Sequence, residues 1–376
     1  MTPAHHVPLI APDLPEFEAV APRFREILQN GRVTNFGRYV REFEEAVGAY
    51  VDAEAVTTSS GTMALLFTLQ ALELPAGAPV IMPSFTFMAT AQAVRYAGGR
   101  PLFAEVGDDL TLDLDDVALL LDRHPDVAAL IPVHMYGLPV DAAAVDALLA
   151  DRPGPVPVVY DAAHAFGASR AGRPVGTGGQ AEVFSLSVTK ALVTVEGGVV
   201  TTRDGVLAER LRRMRNYGIE ADYEAWYPGL NGKMSEFHAI VGLANLERLE
   251  ERLTRRGQLA AAYGARLREE AGLEPLMAPP GVRHTYKDFT VLLPAPLAPR
   301  RAELMRRLAD AGVETRAYFH PPVHEQKLFR AFADRPLPAT ERLARAVLTL
   351  PFFTAMTEAD VDHVVRTLAR LVRELT

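Results

Sequence analysis

Short apolar runs alternate with amphipathic stretches along the chain up to roughly residue 200. Residues 38–50, RYVREFEEAVGAY, space their apolar positions at helical period and predict an amphipathic helix. AEAVTTSSGT predicts a short strand closed by a small polar turn, and MALLFTLQALEL, apolar all round, a buried helix. APVIMPS, RPLFAEV, VAALIPVHMYG, VPVVYDAAHAFGA, AEVFSLS and GGVVTT read as short strands running into loops. FMATAQAVRYAGG reads as a helix ended by glycine. Strands alternating with helices predict an α/β domain with a mostly parallel sheet, buried on both faces.

The pattern changes at KMSEFHAIVGLANLERLEERLTRRGQLAAAYGARLREEAG, a long helical stretch with Gly232 near its start and a break expected around Gly257. The domain boundary is placed inside it. Residues 1–250, N-terminal arm included, form the large domain. Residues 251–376 form a small α+β domain, where strands such as YKDFTVLL alternate with helices such as RAELMRRLADAG.

Composition narrows the function classes. The 376 residues are 49% hydrophobic, enough for a large core. Net charge is −8, the sequence pI is about 5.7, and basic residues are scattered, so nucleic acid is not an expected partner. The chain has no cysteine, which removes disulfides and cysteine metal sites and fits a reducing cytoplasm; no metal is expected. MTPAHHVPLIAPDLPEFE lacks the basic and apolar regions of a signal peptide. No uninterrupted apolar run is long enough for a membrane span.

Four features fall at the ends of expected strands, where open α/β sheets place ligands. Ser59-Ser60-Gly61-Thr62 precedes a buried helix; it is either a helix cap or an anion cradle suited to phosphate. Asp161 ends an apolar run, as another cap or as the partner of a protonated ring nitrogen. Lys190, in FSLSVTKALVTVEGG, is either a solvated turn lysine or an amine whose pKa is held down, with the Ser185 and Thr189 hydroxyls nearby. Phe85 and Phe87 are core aromatics, or one stacks on a planar cofactor. An anion cradle, a strand-end carboxylate and a downstream lysine together describe the parts that bind pyridoxal phosphate.

At these residues the chain resembles the DegT/DnrJ/EryC1/StrS sugar aminotransferases, of fold-type I among pyridoxal-phosphate enzymes. The likeness runs over nearly the whole chain, through GRVTNFGRYVREFE, SSGTMAL, MPSFTFMATAQAVRYAGGRPLFAEV, PVHMYGLPVD, VYDAAHAFGA, FSLSVTKALVTVEGG, RNYGI, GLNGKMSEFHAIVGLANLE and TRAYFHPPVHEQ. It implies a large domain with a mostly parallel, seven-stranded type of sheet and a smaller C-terminal α+β domain. Carried over by position, it implies that Lys190 forms the Schiff base, Asp161 pairs with the pyridine nitrogen, and His164 lies near the phenolic oxygen. Gly61, Thr62, Met63 and Ser185 would hold the phosphate and Phe87 would stack on the ring. Asn231 would reach the phosphate of a neighbouring subunit, which implies a homodimer with shared sites.

The resemblance further implies transamination from L-glutamate or glutamine to a keto-sugar linked to a nucleotide. Glu196 leans the choice of carbon to C-4 over C-3. Arg32, Tyr217, Tyr318, His320 and His324 are candidate substrate residues, and for each of the two histidines a surface-loop or packing role is the alternative. Arg32, Arg215 or Arg316 would supply charge for an anionic nucleotide. Ser187 stands where many members carry histidine, ALVTV where many carry asparagine, and Lys233 where arginine is commoner. Lys190 argues against the dehydratase branch, which has histidine there. Amination of a keto-cyclitol is the alternative reaction, and a cofactor-binding regulator without turnover the alternative class. A dinucleotide-dependent dehydrogenase is set aside, because no G-x-G-x-x-G follows the first strand.

Overall fold

The computed structural model describes residues 5–150, 152 and 154–376. Branched and aromatic side chains fill its central strands: Val56, Val80, Ile81, Val159, Tyr160, Val183 and Phe184 are fully buried. The strands Arg100–Ala104, Pro79–Pro83 and Ala129–Leu130 pair in parallel. The strands Val159–Asp161, Ala181–Ser185, Gly198–Thr202 and Glu54–Thr58 pair in that order. Bridges Leu130–Val158 and Val133–Asp161, both parallel, join the groups into one seven-stranded sheet. Only Gly198–Thr202 runs against its neighbours.

Helices cover both faces, as the two-sided burial of the strands requires. The helix Gly61–Ala71 buries eight of its residues between the sheet and its neighbours, because it is apolar on every side. The helix Arg38–Val51 packs Tyr39, Val40, Phe43, Val47 and Val51 on the other side, with the helix Glu236–Leu246.

The expected break at Gly257 is not there. The long helical stretch instead divides into Glu236–Leu246 and Leu249–Arg266, and Gly257 sits inside the second helix with open space beside it. Arg248 leaves helical geometry, while Asn245 beside it donates its side-chain amide to Val193 O at 2.7 Å and accepts from Arg252 at 2.8 Å. Tertiary hydrogen bonds set the break, and the glycine is tolerated.

The helix Leu249–Arg266 serves two cores: Leu249 and Leu253 join the large-domain cluster, whereas Leu259, Tyr263 and, just beyond it, Leu267 join the C-terminal one. The C-terminal part packs the antiparallel pair Phe289–Leu292 and Val347–Leu350 against Arg301–Asp310 and Glu358–Leu375. Val7 of the N-terminal arm also lies in that second core, held by its amide to Gly312 O at 2.8 Å, so the arm docks on the C-terminal part. Among the described residues no helix is long and apolar enough to cross a membrane.

Candidate active site

Three chain segments reach one point of the sheet. Asp161 and Ser185 close two neighbouring parallel strands, with Asp161 opposite Val183. The helix Gly61–Ala71 begins beside them. A Cβ on Gly61 would lie 2.8 Å from Ser185 Cβ, so only glycine allows this approach. Between these segments and the C-terminal part lies a cavity of about 360 Å³, lined by Ser60, Gly61, Thr62, Phe87, Asp161, His164, Ser185, Lys190, Glu196, Lys287, Tyr318 and Phe319 among others.

The turn before the helix is both a cap and a cradle. Ser60 Oγ accepts the amide of Met63 at 3.2 Å. The helix's first amides have no intrahelical partner, and the dipole favours an anion there. Thr62 and Gly61 line the cavity; Met63 does not. Its amide is engaged by the cap, which corrects the expectation that Met63 offers it to a phosphate. Ser59 donates its amide to Gly232 O at 2.7 Å and so ties the Asn231–Gly232 segment to this turn.

Asp161 is buried. Thr90 Oγ1 donates to its Oδ2 at 2.8 Å and the Ala163 amide to its Oδ1 at 3.1 Å. Burial nevertheless pushes its pKa up, against those two bonds and the Lys190 charge. A cation placed in the cavity would restore the carboxylate. His164 is buried with no partner for Nδ1, and its pKa lies well below the ordinary value through burial and then the Lys190 charge. It is a neutral imidazole with an unused polar atom at the cavity wall.

Lys190 keeps some accessible surface towards the cavity, and its amide donates to Ser187 O at 3.0 Å in the turn after the strand. Burial and then the charge of Lys287 lower its pKa from 10.5 to about 7, which makes a neutral amine available near neutrality.

Phe87 is half exposed at the cavity mouth, 5.9 Å from the Phe319 ring. Tyr318 lines the cavity, and its carbonyl accepts from Tyr136. Phe85 is a fully buried core aromatic.

Other expected site residues lie elsewhere. Arg32, His320, Asn231 and Tyr217 are exposed and outside the cavity. His324 is buried: its ring Nδ1 lies 2.6 Å from Ser84 Oγ, which also accepts the His324 amide at 3.0 Å. Its Nε2 is 3.6 Å from Glu341. It ties its loop to the core and is not a pocket residue. Arg215, a candidate for nucleotide charge, is also buried, where it pairs with Glu44, donates to Thr57 O at 2.8 Å and stacks on Phe36. Both corrections have one cause: loop positions in sequence became core positions once distant segments packed on them.

Thr90, Lys287 and Phe319 escaped sequence reading. Thr90 lies in the first turn of the helix Ala89–Tyr96, just after the Phe87 loop. Lys287 was visible only as a charged pair, YKDF, breaking an apolar run.

The profile of the DegT/DnrJ/EryC1/StrS aminotransferase family matches residues 16–369. The chain belongs to this family. GDP-perosamine synthase of Caulobacter vibrioides is 32% identical, over 96% of this chain and 99% of that one. The dTDP-3-amino-3,4,6-trideoxy-alpha-D-glucose transaminase of Streptomyces venezuelae is 37% identical, over 85% of each. The crystal structure of DesI in the presence of its TDP-sugar product superposes with a TM-score of 0.90 at 34% identity, over 98% of this chain and 93% of that one.

The protein is therefore a pyridoxal-phosphate-dependent aminotransferase of fold-type I. Its residues fit that cofactor. The Gly61 approach leaves a cradle for the phosphate, Asp161 is a buried carboxylate short of a cation, His164 Nδ1 is unpartnered, and Lys190 offers a neutral amine.

Proposed function

We propose that this aminotransferase moves an amino group from L-glutamate to the C-4 ketone of a nucleotide-linked 6-deoxyhexose, in amino-sugar biosynthesis in the cytoplasm. The observation that carries the reading is the meeting of Lys190, Asp161, His164 and the Ser60–Thr62 turn around one cavity. When bound, pyridoxal phosphate supplies an electron sink through its protonated ring nitrogen.

The chain's own groups do the rest. Asp161 holds a proton on that nitrogen, with Thr90 and the Ala163 amide fixing the carboxylate. Gly61 and Thr62 amides and the Ser185 hydroxyl would bind the phosphate. His164 would orient the ring and Phe87 would shield it from water. The Lys190 Nζ, whose neutral form is available near pH 7, would take the proton from the substrate carbon and return it on the other side of the transfer.

A homodimer completes the site in this reading. Asn231 reaches the partner's phosphate, and Arg32, Tyr217 and His320 bound the acceptor. Phe87, Met88, Tyr217 and Leu230 are exposed large apolar side chains around this region, which supports a covered interface. Glu196 lies at the cavity wall, and the choice of C-4 rests on the family pattern at that position. The relatives named above carry names of nucleotide-linked amino sugars, which supports the substrate class.

The test is spectroscopic. L-glutamate added to the loaded protein should convert the Schiff-base absorbance to that of the pyridoxamine form; no conversion with glutamate, glutamine or alanine sinks the reading. Lys190→Ala should lose the Schiff-base band and turnover. A panel of 3-keto and 4-keto nucleotide sugars, with a keto-inositol as the cyclitol alternative, then reads the acceptor from the position of nitrogen in the product. Sedimentation reads the dimer.

A further inference from the structure

Of the 39 basic residues only four are lysines: 190, 233, 287 and 327. Two of the four, Lys190 and Lys287, line the same cavity. Arginine carries almost every other positive charge, and among the described residues the only lysine in an ion pair is Lys287.

Lys287 is 6% exposed and its partner Asp288 1%. Its Nζ lies 2.8 and 3.0 Å from the two Asp288 carboxylate oxygens, and 5.4 Å from the Tyr318 ring centre. Its backbone amide donates to Tyr136 O at 2.9 Å, which pins the segment to the large domain. A buried ion pair between sequence neighbours adds little stability over apolar residues of the same volume. This pair does something an apolar pair cannot: it fixes an ammonium at the wall of a reaction cavity. An ammonium has three N–H donors; Asp288 engages at most two, and at least one remains for the cavity.

We propose that Lys287, held by Asp288, forms a carboxylate-binding subsite that takes a carboxylate of the amino donor. The phosphate cradle belongs to the large domain, at Ser60–Thr62 and Ser185, whereas Lys287 enters with Tyr318 and Phe319 from the C-terminal part. It therefore serves a second anion. A lysine this buried, in a cavity of about 360 Å³ that also takes the cofactor, suits a small carboxylate and not the diphosphate of a nucleotide, which needs an open surface. Lys287 is a binding residue here. Its charge acts on Lys190 as well, which couples donor capture to the state of the reacting amine.

This inference rests on the aminotransferase reading for its ligand, and the experiment separates the two. The cofactor-loaded full chain is titrated with succinate, an unreactive dicarboxylate, and binding is followed by the shift of the Schiff-base absorbance. Lys287→Met should bind succinate about 10- to 100-fold more weakly, as loss of a charge-assisted hydrogen bond predicts, and Lys287→Arg should recover most of it. Lys287→Met leaves Asp288 buried and unpaired, so Lys287→Met/Asp288→Asn is measured in parallel and should show the same loss. Wild-type affinity in either methionine variant overturns the subsite, as does a wild-type protein that does not bind succinate. A loss confined to nucleotide diphosphate also overturns it. Conversion of the wild-type band by L-glutamate is scored separately: if it fails while succinate binding still depends on Lys287, the donor assignment in the proposed function falls and the carboxylate subsite stands.

Discussion

Thr90 Oγ1 donates a hydrogen bond to Asp161 Oδ2 at 2.8 Å, joining positions 71 residues apart in the chain. Thr90 Oγ1 also lies 3.0 Å from Thr86 Oγ1 and 3.1 Å from Phe87 O. A hydroxyl has one proton, and the carboxylate is the stronger acceptor, so Thr86 donates to Thr90 and Thr90 to Asp161. The relay favours the charged form of a buried carboxylate that desolvation pushes the other way.

Thr90→Val should therefore weaken Asp161. The lost bond to a charged group is worth about 1.5–3 kcal/mol, so cofactor affinity should fall by roughly 10-fold or more. Thr90→Ser should stay near wild type. Equilibrium titration of the apoprotein with pyridoxal phosphate measures both, and equal affinity for Val and wild type would remove Thr90 from the account.

Lys190 in the cofactor-free protein should react with an aldehyde reagent at a rate that rises through about pH 7 and then levels, since the neutral amine is the nucleophile. An exposed lysine rises near 10.5 instead. Lys287→Met removes a positive charge that lowers the Lys190 pKa, so the midpoint should move up. Mass spectrometry of the Lys190 peptide after reductive methylation across pH gives the curve.

The same shift links stability to pH. The folded pKa lies below the unfolded one, so between about 7 and 10.5 the unfolded apoprotein binds more protons and stability from this group rises with pH. Below pH 7 the cost of burying the charge is present in full. Lys190→Met should thus raise the apoprotein's Tm at pH 6, and the gain should shrink by pH 10. A gain that is the same at both pH values would contradict this.

Gly61→Ala should disturb the cradle without any demand on backbone angles. Its Cβ would stand 2.8 Å from Ser185 Cβ and 3.0 Å from Ser185 Cα, against backbone that cannot swing away. Overpacking of this kind costs about 1–3 kcal/mol. The expected result is a lower Tm and a phosphate affinity reduced more than the affinity for phosphate-free pyridoxal.

Ser84→Ala should behave as a stability change. The hydroxyl lies 2.6 Å from His324 Nδ1 and 3.0 Å from the His324 amide, both buried. Leaving them unpaired costs about 1–3 kcal/mol. Unfolding by urea should show that loss, while KM for the acceptor stays within roughly twofold of wild type, because His324 is outside the cavity.

Much of the site was legible because it lies at strand ends. Asp161 follows an apolar run that could only be a buried strand, and Ser185 and Lys190 follow the next one. Ser60-Gly61-Thr62 opens a helix that is apolar on every side. Alternation alone therefore put these groups on one edge of one sheet, since parallel strands all end at the same edge. The resemblance added roles to positions that the pattern had already gathered.

The rest depended on packing between segments far apart in sequence. Lys287 and Asp288 read as two charges in an expected strand, and only the closing of the C-terminal part on the large domain turned Lys287 towards Lys190. His324 read as a candidate substrate residue and Arg215 as a charge for an anionic nucleotide, until Ser84 and Glu44 were brought to them. The helix break moved from Gly257 to Arg248 because Asn245 found Val193 and Arg252. Sequence periodicity determined which strand and helix positions face the core and in what order the strands and helices come, because burial within those elements follows from local alternation. Which buried charge meets which partner was decided by the tertiary structure, because those energies depend on distances that no local pattern carries.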